Sequence, residues 1–519
     1  MNQFIRVRLV LALFLCVISP PILAVAQPKH APQFKQVVSE AEEACAALVA
    51  FNKENEPGAF DFKSITTYGK LADAYMITNQ LDKAKEILSP SLPAADVDRL
   101  VTTSAVKFGA PIPQIPESLE ESKQQIWKLE IFISLAHGWR HDEAVKVLNT
   151  FSQSYQAPAR KLRYLKIIAD NCIKEKNQAK AKPIASQIWK QLQKLDDKEQ
   201  QTKLEFSLYL LELAQDLKLK ESAKKLFPYV QNQFVDLARS SNQNIEPDTL
   251  LRMFRRQGLA CARQGNHDAA QAHLKSALAT VELIQSDLFG KESSYAEVHI
   301  AYADAFRMAG NKKESLSHTL KAIDWLKKVE VDREKSVANS IDGGTGFFSA
   351  VFGLGQYSEH KNVVIAQAKI EEHELAERTW KSIPFCIQKI QCQIELANYF
   401  RDSGSPDQLQ KCVDRCLELA KTVNEFTDIV ACKVAAAFIL HKSGQGDRRD
   451  KLLRTLVDEV TRSKSDLAKQ NLANDLVAMD LLEQSYLVIQ SIKSNHNRAL
   501  PLAGMAKEMA EAQARDLRQ

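Results

Sequence analysis

The stretch that most constrains this chain is Leu250–Ile284, LLRMFRRQGLACARQGNHDAAQAHLKSALATVELI, which reads as two amphipathic helical periods flanking a turn at Gly265-Asn266. In the first period Leu251, Phe254, Gly258, Cys261 and Ala262 recur at spacings of three and four, and in the second Ala270, Leu274, Ala277 and Leu278 do the same. That recurrence marks a helix with one apolar face. Asn266 and Asp268 suit a helix start, where a short polar side chain accepts a bond from a free backbone amide. Gly258, Ala270 and Ala277 put small residues where the helices must approach, which permits the low end of the roughly 8–10 Å range of axis separations. A lone hairpin cannot bury apolar residues on two sides, so this one requires stacked neighbours.

The rest of the chain supplies them. Tyr68, Leu71, Ala72 and Tyr75 precede a turn at Asn79-Gln80, and Ala84 and Leu88 follow it. Further hairpins are expected to turn at Gly138-Trp139, Glu175-Lys176, Lys218-Leu219, Gly310-Asn311, Ser403-Gly404-Ser405 and Gly444-Gln445-Gly446. Pro90, Pro93, Pro111, Pro113 and Pro116 rule out one long helix between the early hairpins, since proline lacks a backbone donor and clashes with the preceding turn. A short helix at Ala95–Lys107 is expected there. Phe34–Phe51 reads as an amphipathic cap on the array, and the polar end of Ala503–Leu517 as its other cap.

Phe254-x2-Gln257-Gly258-x2-Cys261, then Ala270-x3-Leu274 and Ala277, resembles the tetratricopeptide repeat (TPR). Gln257 stands where the family has Leu, and Cys261 where it has Tyr. The resemblance implies an all-α fold, a right-handed α-solenoid of TPR-like helical hairpins whose first helices line a concave groove. It also implies a binding scaffold without chemistry of its own. Between corresponding small residues from Ala144 to Ser315 the steps run from about 37 to about 47 residues, against 34 in a standard repeat, so a regular superhelix is not implied.

Composition agrees with an all-helical chain. Its 519 residues include only 17 Gly and 17 Pro, and alternating β-branched runs bounded by turn residues are almost absent. Arg6 and Arg8 before the apolar run Leu9–Ile18, the Pro20-Pro21 break, and Ala24-Val25-Ala26 predict a secretory signal peptide over residues 1–26. An exported protein of the bacterial periplasm or outside the cell is therefore expected, with a retained N-terminal anchor as the alternative. Removing that segment takes away two arginines and no acid, so the net charge falls from +5 to +3, too mild to imply a nucleic-acid partner. Of the eight remaining cysteines, Cys261 and Cys416 fall where hairpins want a small apolar residue. All eight read as buried free thiols, or some as a disulfide within the C-terminal cluster; Cys412 with Cys416, one turn apart, would be a strained pair.

Catalytic motifs are missing: there is no nucleophile elbow, phosphate-cradling loop, zinc-binding H-E-x-x-H or calcium loop. No enzyme and no cofactor or metal is expected, and His137 and His141 are read as structural, with Gly138 between them at a turn. The candidate partner-binding residues are Arg252, Arg255, Arg256 and Arg263, four cations on the first helix of the best hairpin. Like charges one turn apart repel, so such a cluster calls for an acidic peptide partner or for neighbouring acids such as Glu297 or Asp304. The expected organisation is an array over residues 34–341, a Gly/Phe-rich linker over 342–360 and a second array over 361–519. The expected function is an exported scaffold for protein or peptide partners. The alternative is a self-associating envelope protein that uses Phe347, Phe348 and Phe352.

Overall fold

The computed structural model describes residues 32–516 apart from 56–61, 90–91, 154, 156, 175–176, 197–198, 240–245, 285–290, 341–357 and 384–385. Among the described residues there are α-helices and no strand, and the fold is an all-α solenoid of helical hairpins. In chain order the helices are α1 (Phe34–Asn55), α2 (Phe62–Ile77), α3 (Leu81–Leu88), α4 (Ala94–Ala105), α5 (Glu121–His137), α6 (His141–Leu148), α7 (Pro158–Lys174) and α8 (Gln178–Leu192). Then come α9 (Gln200–Asp216), α10 (Lys220–Arg239), α11 (Pro247–Arg263), α12 (His267–Val281), α13 (Lys291–Met308), α14 (Lys312–Ser340), α15 (Ser358–Lys369) and α16 (His373–Ser382). The last are α17 (Cys386–Asp402), α18 (Pro406–Thr422), α19 (Phe426–Lys442), α20 (Gly446–Arg462), α21 (Asp466–Ala478), α22 (Leu482–Gln490) and α23 (Asn495–Asp516).

One turn chemistry joins the hairpins. Gly265, Gly310, Gly404 and Gly444 adopt positive φ, and so do Asn79, Trp139, Lys218, Glu371 and Asp480 at the equivalent place. After each, the next amide donates to a carbonyl five residues back: Asn266 to Cys261, Arg140 to Leu135, Glu372 to Gln367. This is the left-handed helix stop that satisfies carbonyls otherwise left unpaired at a helix end. Asn266 then caps α12 with its side-chain oxygen on the Ala269 amide at 3.2 Å. The expected turns at Asn79, Gly138-Trp139, Lys218, Gly265, Gly310, Gly404 and Gly444 are all present, while Glu175-Lys176 lies outside the described residues. Two further turns of the same kind, at Glu371 and Asp480, were not among those expected from the sequence.

The described residues form two compact units, one of those up to 191 together with those from 446 on, the other of those between 192 and 445. This differs from the expected division at 342–360. The helices on either side of that segment, α13 and α14 before it and α15 after it, pack together within one unit, joined through Ala296, Ala322, Leu326 and Val363. Residues 341–357, with the three phenylalanines, lie outside the described part of the chain.

In the first unit, the expectation of two separate end caps is also corrected. α23 packs against α1 and α2, so the first and last described helices share one core. Val37, Ala41, Ala44 and Leu48 of α1 are buried, as are Leu502, Ala503, Ala506 and Ala510 of α23. Tyr486 on α22 donates to Glu40 at 2.6 Å, and Phe51 stacks on His496 with ring centroids 4.0 Å apart. Each helix has an apolar stripe too wide to leave in water, and they cover one another.

The second unit holds the reference hairpin, α11 and α12. Gly258 meets Leu274 so closely that an added Cβ would lie 2.7 Å from Leu274 Cγ. Leu251, Cys261, Ala270, Leu274 and Ala277 are buried together with Tyr295, Val298 and Tyr302 of α13.

Candidate partner-binding surface

The four arginines of α11 do not form an open cationic site. Arg256 grips Glu212 of α9 with two bonds, from Nε at 2.8 Å and Nη2 at 2.6 Å. Arg255 pairs with Glu297 of α13, the partner that its spacing suggested. Arg263 stands 3.6 Å from Asp216, and exposed Arg252 bonds only locally, to Thr249 Oγ1 at 3.2 Å and the Asp248 carbonyl at 3.4 Å. Three of the four guanidinium groups thus tie α11 to its neighbours. A fork on a carboxylate already meets the need that a partner would have met. Asp304 is committed elsewhere, to Arg307 at 3.3 Å and Lys369 at 3.8 Å.

His137 and His141 each have a neighbour of their own. His137 Nδ1 lies 2.8 Å from the Ile133 carbonyl, and His141 meets the Trp139 ring edge-on at 6.1 Å. Among the described residues no group of three or more His, Cys, Asp or Glu is arranged to hold a metal.

A cleft lies instead between α17 and α19, the first helices of two successive hairpins. Its walls are Ile394, Ala397, Asn398 and Arg401 from α17 and Phe438, Ile439, Lys442 and Ser443 from the end of α19, with Leu409 of α18 behind them. It is shallow: the enclosed volume is about 10 Å³, room for about one water, and the rest of the depression is open to solvent. The floor is apolar because the helix stripes that bury Ala397 and Ile439 continue to it. The rim is cationic. Lys442 Nζ sits 5.4 Å from the centre of the Phe438 ring, and Arg401 bonds the adjacent Asp402 at 2.9 Å, a pairing exposed to water. An exposed pair of this kind contributes little, so a ligand carboxylate competes with Asp402 at small cost.

The sequence reading missed this site, although its signal is present. Asn398 and Phe438 each stand six residues before a turn glycine, Gly404 and Gly444, so equivalent turns of two repeats place them side by side. The comparison requires the repeat register, which the loose pattern did not fix.

No family model matches the chain, and no curated protein is similar to it in sequence. Among solved structures, Ton1535 from Thermococcus onnurineus NA1 is similar at 16% identity and a TM-score of 0.29, covering 73% of this chain and 98% of its own. A circular tandem repeat protein with novel repeat topology and enhanced subunit contact surfaces is similar at 12% identity and a TM-score of 0.19, covering 91% and 97%. Likeness at these scores carries no argument about function. Among the described residues no helix is long and apolar enough to cross a membrane.

Proposed function

We propose that the chain is an exported, TPR-like scaffold without catalytic chemistry, which holds short segments of protein partners against the first helices of its hairpins. The observation that supports this reading is the α17/α19 cleft, an apolar floor under the cations Arg401 and Lys442. An acidic residue next to an apolar one suits it: the apolar side chain lies over the half-buried Phe438 ring at the surface of the depression, and the carboxylate meets the two cations. The preferred segment is therefore acidic, as the arginine reading held, but its place moves from α11 to α17 and α19. Buried anchors surrounded by polar groups carry most of the affinity in such contacts.

The test is selection of a displayed library of random short peptides against the purified chain, repeated with the Arg401→Glu/Lys442→Glu variant. Enrichment of peptides pairing an acidic with a large apolar residue is expected, and its loss in the variant, with at least tenfold weaker binding of the enriched peptides. Equal enrichment on both chains, or none on the wild type, overturns the reading.

A further inference from the structure

Eight cysteines lie among the described residues, none of them in a disulfide and seven of them buried. Cys386, at the first position of α17, is half-buried and reachable from solvent. Its Sγ lies 3.6 Å from Sγ of Cys432, which is fully buried in α19. These two helices pack directly on one another, with α18 between them in sequence. No such contact relates Cys412 and Cys416, whose placement one turn apart on α18 opposes a bridge.

We propose that Cys386 and Cys432 are a modification site, which an external small-molecule disulfide oxidises to an intramolecular bridge tying α17 to α19. Closing the gap to the roughly 2.05 Å of a sulfur–sulfur bond takes about 1.5 Å of movement, within reach of small side-chain rotations. Access sets the order of events. Cys386 loses its proton and attacks one sulfur of the external disulfide, forming a mixed disulfide and releasing one small thiolate. Cys432, deprotonated in turn, attacks Cys386 Sγ and expels the second. Two protein thiols give up an electron pair and two protons, and the external disulfide becomes two small thiols.

The surroundings set the rate. Burial raises the pKa of both thiols, and the nearby Asp428 carboxylate raises both further, while Lys389 opposes this at Cys386. The thiolate is therefore scarce at neutral pH, and bridge formation accelerates roughly tenfold per pH unit on going to mildly alkaline solution. Cys392, Cys412 and Cys416 have no comparable route to an oxidant. Burial pushes the last two up to about 12. The bridge would clamp the two helices that line the cleft, but the inference stands without the scaffold reading, because its readout is the state of two thiols.

The test treats the reduced full chain with oxidised glutathione, caps remaining thiols with an alkylating reagent, and maps peptides by mass spectrometry without reductant. The expected product is one linked pair containing Cys386 and Cys432, lighter by two hydrogens, with the other thiols alkylated. Oxidation should raise the thermal midpoint by on the order of 5 °C through loop closure. Cys386→Ser, a change at a half-exposed position, should abolish both effects. In Cys432→Ala the mixed disulfide of Cys386 with glutathione should accumulate. Cys386 and Cys432 both alkylated after oxidation, or a linked pair of other cysteines, overturns the proposal; if Cys432→Ala does not fold, the Cys386→Ser comparison decides alone.

Discussion

His299 and His318 face each other across α13 and α14 in the second unit, with Nδ1 to Nδ1 at 3.0 Å. Two ring nitrogens at that distance share one proton, so one ring donates and the other accepts. Tyr302 and Phe306 stack on His318 with centroids at 4.5 and 5.4 Å, which closes the site to water. Burial lowers both imidazoles to about 4, assisted by Lys321 and, at His318, by His299. The folded-state values lie below the unfolded value near 6.5, so between roughly pH 6.5 and 4 the unfolded chain binds more protons. Stability is then full above about pH 6.5 and falls as the pH drops through that window, by a few kcal/mol for the pair. Denaturant titrations at pH 7 and pH 4.5 should show the loss, and His318→Gln should flatten the dependence while lowering stability at neutral pH. A wild-type chain equally stable at both pH values would mean that the pair does not stay neutral on folding.

At the scale of elements, the hairpin stops separate what the sequence reveals from what it conceals. Where the left-handed position is Gly or Asn, as at Gly265 or Asn79, composition alone marks the turn, because these residues pay little for positive φ. Lys218, Glu371 and Asp480 occupy the same conformation with φ of 53°, 65° and 59°, and only the change of apolar phase betrays them. Lys218 was legible by that phase, whereas Glu371 and Asp480 sit where the phases of two short helices nearly merge. Lys218→Gly should therefore stabilise the second unit by about 0.5–1 kcal/mol, relief of strain outweighing the added freedom of the unfolded chain. The exposed Lys218 side chain gives up no ion pair in the exchange, and a lower midpoint in a denaturant titration would refute the strain argument. Gly258 was legible for a different reason: its φ is helical, and what it supplies is room for Leu274. The arginine row was legible as a charge pattern but not as a set of pairs. Glu212 and Glu297 lie more than forty residues from their partners, and only stacking brings them within reach. The cleft was hidden for the same reason, since it belongs to no helix but to the register of α17 against α19.

At the scale of the whole chain, the feature no local pattern could reveal is the return of α23 to α1 and α2, because a helix that caps an array and a helix that closes one carry the same apolar stripe. Its polar side makes the pairing specific. Asp73 of α2 and Lys507 of α23 meet at 3.2 Å with side chains only 7% and 18% exposed, and Glu511 stands 4.0 Å from Lys507 on the other side. Lys70 lies beside them, its Nζ 3.6 Å from where a Cβ on Gly504 would sit, and its pKa is lowered by burial and by Lys507. Removing one member of a buried pair leaves an uncompensated charge, so Asp73→Ala should cost the first unit about 3–5 kcal/mol. Replacing both, as Asp73→Leu/Lys507→Met, should cost much less, since no charge is then stranded. Amide hydrogen exchange is the sensitive measurement: in Asp73→Ala, protection should fall together in α1, α2 and α23, the last more than four hundred residues from the other two in sequence, and should persist in α11 and α12. If α23 frays while α1 and α2 keep their protection, the three helices do not form one cooperative core, and the first unit is held by its sequence-adjacent hairpins alone.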